Sequence, residues 1–398
     1  MTWVLRATAG LASIIFVGVL FIVWTGPGEP ENPPSIALPS TVTGPPEQST
    51  AIQQATPQPA MPTADFAVAR RHTQSGDFQA GATVLIYEAN PTEFASKTSR
   101  VLDRLVKDNV NAISLTFPVY QATWHSIEVS RYAATLTDSN IEFFVKHARA
   151  RGFVVLLRPI IDEQAFFDDP RDCGGSGQPI CRWRGNIEPS DVAAWFGSYQ
   201  RLILSYARVA QASGVELFSI GVELNSMAQE NNLPYWSALI SAVRDVYSGD
   251  LIYSMNHGVA ETMGFEEQLD YIGIDAFYAL SAPSNPTVEQ LIQQWQRITP
   301  FFEQTARRFN KPVILTELGV RAEEGAFLHP WLWEQNTPLD IEQQRLYYEA
   351  ACRATRSAVS GLYFWHTTLY PPDRPEQDPS FEFAGKPAEQ ELAACYAG

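Results

Sequence analysis

Leu217-Phe218-Ser219-Ile220-Gly221-Val222-Glu223-Leu224-Asn225 is an apolar run that closes on one carboxylate and one amide. A short continuous run of this kind reads as a strand buried on both faces. A Glu at the point where such a strand emerges costs several kcal/mol if it is buried without a partner, so it is not an accident of composition. Val313-Ile314-Leu315-Thr316-Glu317-Leu318-Gly319 repeats the arrangement about a hundred residues later.

Working outward from these two runs, the chain from about Gly81 alternates short β-branched stretches with longer amphipathic ones. The expected strands are Thr83 to Tyr87, Ala112 to Thr116, Val154 to Arg158, Leu217 to Gly221, Leu251 to Ser254, Tyr271 to Asp275, Val313 to Thr316 and Leu362 to Trp365. Between them the apolar residues recur near the helical period over Glu93 to Lys107, Ile141 to Arg151, Asp191 to Ala212, Tyr235 to Tyr247, Val288 to Phe309 and Ile341 to Arg356, with a weak fifth helix near Glu261 to Gln268. Eight strands in this alternation predict a closed (β/α)8 TIM barrel, an α/β fold. No G-x-G-x-x-G follows the first strand, which argues against a doubly wound dinucleotide-binding sheet.

Length and composition agree. The chain has 398 residues, enough for a barrel of roughly 250 residues plus extensions. Hydrophobic residues make up 45% and charged residues 18%, which marks a folded, apolar-rich globule. The formal charge of -16 excludes a nucleic-acid partner of the usual kind, which needs a basic face.

The first residues differ from the rest. Ala7 to Thr25 is apolar or small throughout, preceded by Arg6 and followed by Glu29 and Glu31. At about 1.5 Å per residue it is long enough to span a bilayer. The expectation is a transmembrane signal anchor over 1–25 with its N-terminus in the cytoplasm, so the protein is single-pass in the cell membrane with an extracytoplasmic catalytic domain; secretion after signal cleavage is the alternative. Residues 26–63, rich in Pro, Thr, Gln and Ser, read as a disordered linker, and 64–398 as the barrel domain, a monomer.

Four cysteines suit an oxidising compartment, and Cys173-Cys181 and Cys352-Cys395 are the expected disulfides among three possible pairings. Zinc would need a closer C-x2-C pair or a His at ligand spacing, so neither metal nor cofactor is expected. The acidic loop Glu163 to Asp169 reads as a solvated charge run before it reads as a calcium site.

In a parallel barrel the chemistry sits at the C-terminal ends of the strands. Glu223 ends the fourth strand and Glu317 the seventh, on opposite sides of the mouth. One carboxylic acid to protonate a leaving oxygen and one carboxylate to attack an anomeric carbon is the pair that glycoside hydrolysis requires, with a separation of about 5–5.5 Å for a retaining mechanism. Glu223 must then hold a proton while Glu317 stays ionised, with Arg158 and Tyr278 as its hydrogen-bonding candidates. Sugar rings stack on aromatic faces; Trp365 is the expected platform, with Trp183, Trp331 and Trp333 in loops, whereas Trp195, Trp236 and Trp295 fall within helices and read as packing residues.

The chain resembles glycoside hydrolase family 113, a clan A family of chiefly endo-β-1,4-mannanases. The resemblance runs from about Gly81 to Ala394. It is carried in order by Trp183-Arg184-Gly185, Trp195-Phe196 with Tyr199, Ile220-Gly221-Val222-Glu223-Leu224, Trp236 through Asn256, Asp270-Tyr271-Ile272-Gly273-Ile274-Asp275-Ala276-Phe277-Tyr278, Lys311-Pro312-Val313-Ile314-Leu315-Thr316-Glu317-Leu318-Gly319, Pro330-Trp331, Gly361 to Trp365 and Gly385-Lys386-Pro387-Ala388-Glu389. It implies Glu223 as acid/base, Glu317 as nucleophile, net retention, and a β-linked glycan, β-1,4-mannan first, as substrate; hydrolysis of another β-glycan, such as an exopolysaccharide made by the cell itself, or a non-catalytic glycan-binding barrel are the alternatives. Many clan A enzymes place Asn before the acid/base; here Val222 stands there, which moves the hydrogen bond to the sugar 2-hydroxyl to Asn225 or Asn256.

Overall fold

A computed structural model describes residues 77–162, 183–257, 263–333 and 336–397. The apolar N-terminal stretch, the linker, the Cys173/Cys181 pair and the acidic loop lie outside the described residues. Among the described residues no helix is long and apolar enough to cross a membrane.

Nine strands are present: β1 (Gln79–Leu85), β2 (Ala112–Gln121), β3 (Val129–Ser130), β4 (Val154–Asp162), β5 (Leu217–Val222), β6 (Asp250–Asn256), β7 (Tyr271–Asp275), β8 (Val313–Leu318) and β9 (Gly361–Thr368). All except β3 run parallel, and β1 pairs with both β2 and β9, which closes an eight-stranded barrel. The small β3 extends β2 as an antiparallel flap. The fourth and seventh barrel strands are therefore β5 and β8.

Around the barrel run α1 (Phe94–Lys107), α2 (Asp138–Ala150), α3 (Val192–Ser213), α4 (Leu233–Arg244), α5 (Val288–Phe309), α6 (Ile341–Thr355) and α7 (Pro387–Tyr396). Side-chain caps that satisfy orphan N–H groups set the starts of α2, α3, α5 and α6. Thr137 accepts from Asn140 N, Asp191 from Ala194 N, and Thr287 forms a full capping box with Gln290. The weak helix expected near Glu261 to Gln268 is, among the described residues, a single 3-10 turn over Glu266–Gln268. Cys352 on α6 and Cys395 on α7 form the expected disulfide, with Cα atoms 5.9 Å apart.

The interior changes character along the barrel axis. Ala112, Leu156, Leu217, Ile252, Tyr271, Ile314 and Tyr363, one from each of seven strands, pack into an apolar layer. Gly81 belongs to this region because the Tyr363 ring occupies the space a side chain would need: a Cβ there would lie 2.5 Å from ring carbons. Side chains alternate along a strand, so the residue two further on points the same way. That step leads from Leu156 to Arg158, from Leu217 to Ser219, from Ile252 to Ser254 and from Ile314 to Thr316, and a step of four leads from Tyr271 to Asp275. All five are buried. The barrel is thus apolar below and polar toward the C-terminal ends of its strands.

Three strands break their ladders near the mouth; in β9, Phe364 pairs with Ala82 but Thr367 with Val84, one extra residue. In β5, Ser219 pairs with Ile252 but Val222 with Ser254, so β5 carries one extra residue. In β8, Leu315 pairs with Ile274 but Glu317 with Asp275, again one extra residue. Such bulges re-aim side chains and gather next to active sites.

Candidate active site

Glu223 and Glu317 each follow one of these irregularities. Glu223 also has φ 51°, in the left-handed region that a side chain other than Gly rarely adopts. That conformation costs about 1–3 kcal/mol and persists only where the surroundings impose it. Here they do: Glu223 N donates to Ser254 O at 2.8 Å, Leu224 N to the Tyr253 hydroxyl at 2.8 Å, and Asn225 N back to Glu223 O at 2.8 Å.

Both carboxyl groups are buried, Glu223 being 6% and Glu317 4% exposed. Glu223 Oε1 accepts from Asn256 Nδ2 at 2.8 Å and Oε2 from Arg184 Nη1 at 3.0 Å. Arg184 is fixed in turn by its Nε donating to Ile161 O at 3.0 Å. Glu317 Oε1 accepts from Arg158 Nη1. Arg158 is fully buried; its Nη2 donates to Asp275 Oδ2 at 2.7 Å and its Nε to Ser254 Oγ at 3.1 Å. The far oxygen of Asp275 accepts from the Thr316 hydroxyl at 2.7 Å. One guanidinium therefore spans strands β4, β6, β7 and β8.

Burial pushes the Glu317 carboxyl up to about 7, with Arg158 opposing and Glu223 adding to the rise. Burial likewise holds Asp275 well above the usual carboxylate range, against the pull of Arg158 and reinforced by Glu317 and Glu223. Burial would weaken the charge on Arg158, but Asp275 and Glu317 more than reverse it, so it remains a cation.

The expected bond from Tyr278 to Glu317 is not formed. Among the described residues the Tyr278 hydroxyl is buried with no hydrogen-bond partner, because its ring is drawn into an aromatic cluster with Trp295 and Phe302, centroids 6.2 and 5.9 Å away. Arg158 makes the contact with Glu317 that the sequence suggested. Asn256 reaches Glu223, while Asn225 lies in the turn just after it.

Of the expected aromatic platforms, Trp331 and Trp333 are open, 44% and 46% exposed, and Trp331 stacks on His257 at 6.0 Å. Trp365 is 4% exposed, clustered with Leu85, Phe277 and Phe381, with Trp333 edge-on at 6.3 Å. The Trp365-His366 peptide is cis. Trp183 lies over Gly185, where a Cβ would come within 2.3 Å of its indole. Trp195, Trp236 and Trp295 are fully buried, as helical packing residues should be.

Sequence reasoning missed Arg184, Asp275 and Thr316. Arg184 stands inside the Trp183-Arg184-Gly185 stretch, and Asp275 ends an apolar strand just as the two glutamates do. The criterion that singled out the glutamates would have found Asp275 as well.

A parallel eight-stranded barrel with two buried carboxyl groups at the C-terminal ends of its fourth and seventh strands defines a glycoside hydrolase. Residues 86–386 match Glycoside Hydrolase Family 113, and the chain belongs to that family. Among solved structures it is similar to the GH113 β-mannanase AaManA from Alicyclobacillus acidocaldarius in complex with ManMIm, at 24% identity over 81% of this chain and 97% of that one, with a TM-score of 0.67. A GH113 β-1,4-mannanase seen as a complex gives 22% identity, 80% and 99% coverage and a TM-score of 0.67. A Ruminococcus gnavus β-glucuronidase gives 13% identity over 80% of this chain and 50% of that one, with a TM-score of 0.53. At these identities the likenesses speak for the barrel. No curated protein sequence matches the chain.

Proposed function

We propose that this glycoside hydrolase cleaves a β-linked polysaccharide or oligosaccharide, β-1,4-mannan first, by double displacement, with Glu317 as nucleophile and Glu223 as acid/base. The observation that carries the reading is the burial of two carboxyls at the mouth, Glu223 just after β5 and Glu317 near the end of β8, with Arg158 donating to Glu317. A carboxylate held by a cation is ready to attack an anomeric carbon. Glu223, on the opposite wall, protonates the departing oxygen and then takes a proton from water in the second step. Asn256, which donates to Glu223, or Asn225 is the residue assigned to the sugar 2-hydroxyl in this reading. Trp331, Trp333 and Trp183 offer stacking faces away from the cleavage point.

The β-1,4-mannanases among similar structures support mannan as the first substrate. The apolar stretch Ala7 to Thr25 favours a second reading of the substrate, a β-glycan made by the cell itself, with the monomeric barrel tethered at the outer face of the membrane. The test is incubation of the full chain with β-1,4-linked manno-, gluco- and xylo-oligosaccharides, following products and anomeric configuration by NMR. Cleavage with retention, abolished in Glu317→Ala, is expected. Inversion of configuration, or full activity in that variant, refutes the mechanism.

A further inference from the structure

Exposed aromatic rings are not spread evenly over the surface. Among the described residues the exposed Tyr, Trp and Phe side chains are Tyr87, Tyr235, Trp331, Trp333 and Tyr370. Tyr235, on α4, has a packing partner, its ring stacked on Phe196 at 4.8 Å. The other four sit in the loops that follow β8 (Trp331 and Trp333), β9 (Tyr370) and β1 (Tyr87), three neighbouring strands of the barrel. Single exposed rings are ordinary, whereas a group of them on one side of a cleft marks a binding face. We propose that Tyr370 and Tyr87 form a remote glycan-binding platform that continues the stacking faces of Trp331 and Trp333 outward. The enzyme then engages several consecutive sugars and acts on long chains in preference to short ones. The proposal rests on the glycan-cleaving reading above.

Strand pairing sets the two tyrosines side by side. The β1–β9 ladder ends with Leu85 opposite Thr368, and each tyrosine lies two residues beyond. Tyr370 is held from several directions: its N donates to Thr368 Oγ1 at 3.1 Å, its hydroxyl donates to Glu88 Oε2 at 3.0 Å, and Lys97 Nζ covers its ring from 3.8 Å. Lys97 is anchored in turn by donating to Thr92 Oγ1 at 3.3 Å. Both tyrosines are nevertheless 42% exposed, so the side of the Tyr370 ring away from Lys97 stays open. A ring fixed before its ligand arrives costs less to immobilise on binding. Glu88 adjoins Tyr87 in sequence and Tyr370 in space, so an acceptor for sugar hydroxyls stands beside rings that take the apolar face of a pyranose.

The platform is joined to the cleavage site by packing. Leu85, at the end of β1, belongs to one apolar cluster with Trp365 and Phe381, and Trp333 meets those two rings edge-on at 6.3 and 5.4 Å. Apolar contact is therefore continuous from Trp333 to the strand that carries Tyr87. Neighbouring strands lie about 4.8 Å apart, so β1, two strands from β8, stands about 10 Å from the strand of Glu317. A sugar seated at Glu317 does not reach Tyr87. The further units of a longer chain do.

The test uses the full chain with β-1,4-linked manno-, gluco- and xylo-oligosaccharides of two to six units, and compares the shortest and longest cleaved members of the series that reacts fastest. In Tyr370→Ala, kcat/KM for the longest should fall about fivefold to tenfold more than for the shortest, through KM and with kcat retained, because the lost contact is uniform binding. Tyr87→Ala should act in the same direction, and it serves if Tyr370→Ala does not fold. Tyr370→Phe, which retains the ring, should recover most of the loss. Tyr235→Ala, away from this face, should keep the native ratio of long to short. Equal losses at every length, or none, overturn the platform. Isothermal titration of the same oligosaccharides into Glu317→Ala, with and without Tyr370→Ala, separates that outcome from failure of the underlying reading. Binding that strengthens with length and is weakened by Tyr370→Ala, with no cleavage by the native chain, retains the platform and removes the hydrolytic reading. Binding of no member of the panel overturns both.

Discussion

Glu317 stands opposite Asp275 in the β7–β8 ladder, although the register that pairs Ile274 with Leu315 would set Thr316 there. The single extra residue brings Thr316 and Glu317 to the same aspartate, one through its hydroxyl and the other through a shared arginine. A carboxyl held this way sits where the folded chain would gain by neutralising it, and that has measurable consequences.

Glu317→Gln should be inactive and yet more stable than the native chain at alkaline pH. The native carboxyl is pushed from 4.5 up to about 7 by burial, so its ionised form is penalised in the fold. The penalty is absent below about pH 4.5, grows as pH rises, and is complete above about pH 7. Urea denaturation should therefore give the variant an advantage of about 1–3 kcal/mol near pH 8 that fades as pH falls toward about 4.5. A native chain more stable than the variant near pH 8 would contradict this account.

Gly81→Ala should destabilise the barrel by about 1–3 kcal/mol while leaving kcat per folded molecule unchanged. The new methyl group meets the ring of Tyr363 at 2.5 Å, deep in the apolar layer, and that ring is held by its hydroxyl donating to Gln79 Oε1. Combining it with Tyr363→Leu should cost less than the sum of the two single changes. Strict additivity in chemical denaturation would rule out the clash as the cause.

Removal of the Cys352-Cys395 bridge by double substitution to Ala should lower stability by up to about 4 kcal/mol, the chain-entropy value for a loop of this length. The two cysteines are 43 positions apart and join α6 to α7, away from the mouth. Thermal unfolding with and without reductant should show the same drop in the native chain and none in the variant. Equal unfolding temperatures would show that helix packing alone holds α7.

The barrel was legible because its signals are periodic. Helix α5 begins and ends where its apolar spacing predicts, and β7 matches its expected span residue for residue. Strand β1 starts earlier than expected because Gln79-Ala80-Gly81-Ala82 has no β-branched residue. It is a strand because β2 and β9 pair with it on both sides. The two glutamates could be read from strand position alone. The extra residues in β5 and β8, the reach of Arg184 to Glu223 and the aromatic capture of Tyr278 depend on neighbours distant in sequence, so no local pattern announces them. Of the two residues that Val222 pointed to, Asn256 donates to the Glu223 carboxyl.

The hydroxyl of Tyr396, on the last helix, donates to Gly81 O and Leu362 O, 315 and 34 positions away, and thereby clips the first barrel strand to the last. A ribosome delivers β1 long before the partner that completes it. Throughout synthesis one edge of that strand must wait unpaired, and any cellular factor that shields nascent chains has the longest claim on this segment. Shortening the chain by its last helix would therefore show itself first as poor yield and aggregation during production, with the chemistry of any molecules that do close left intact.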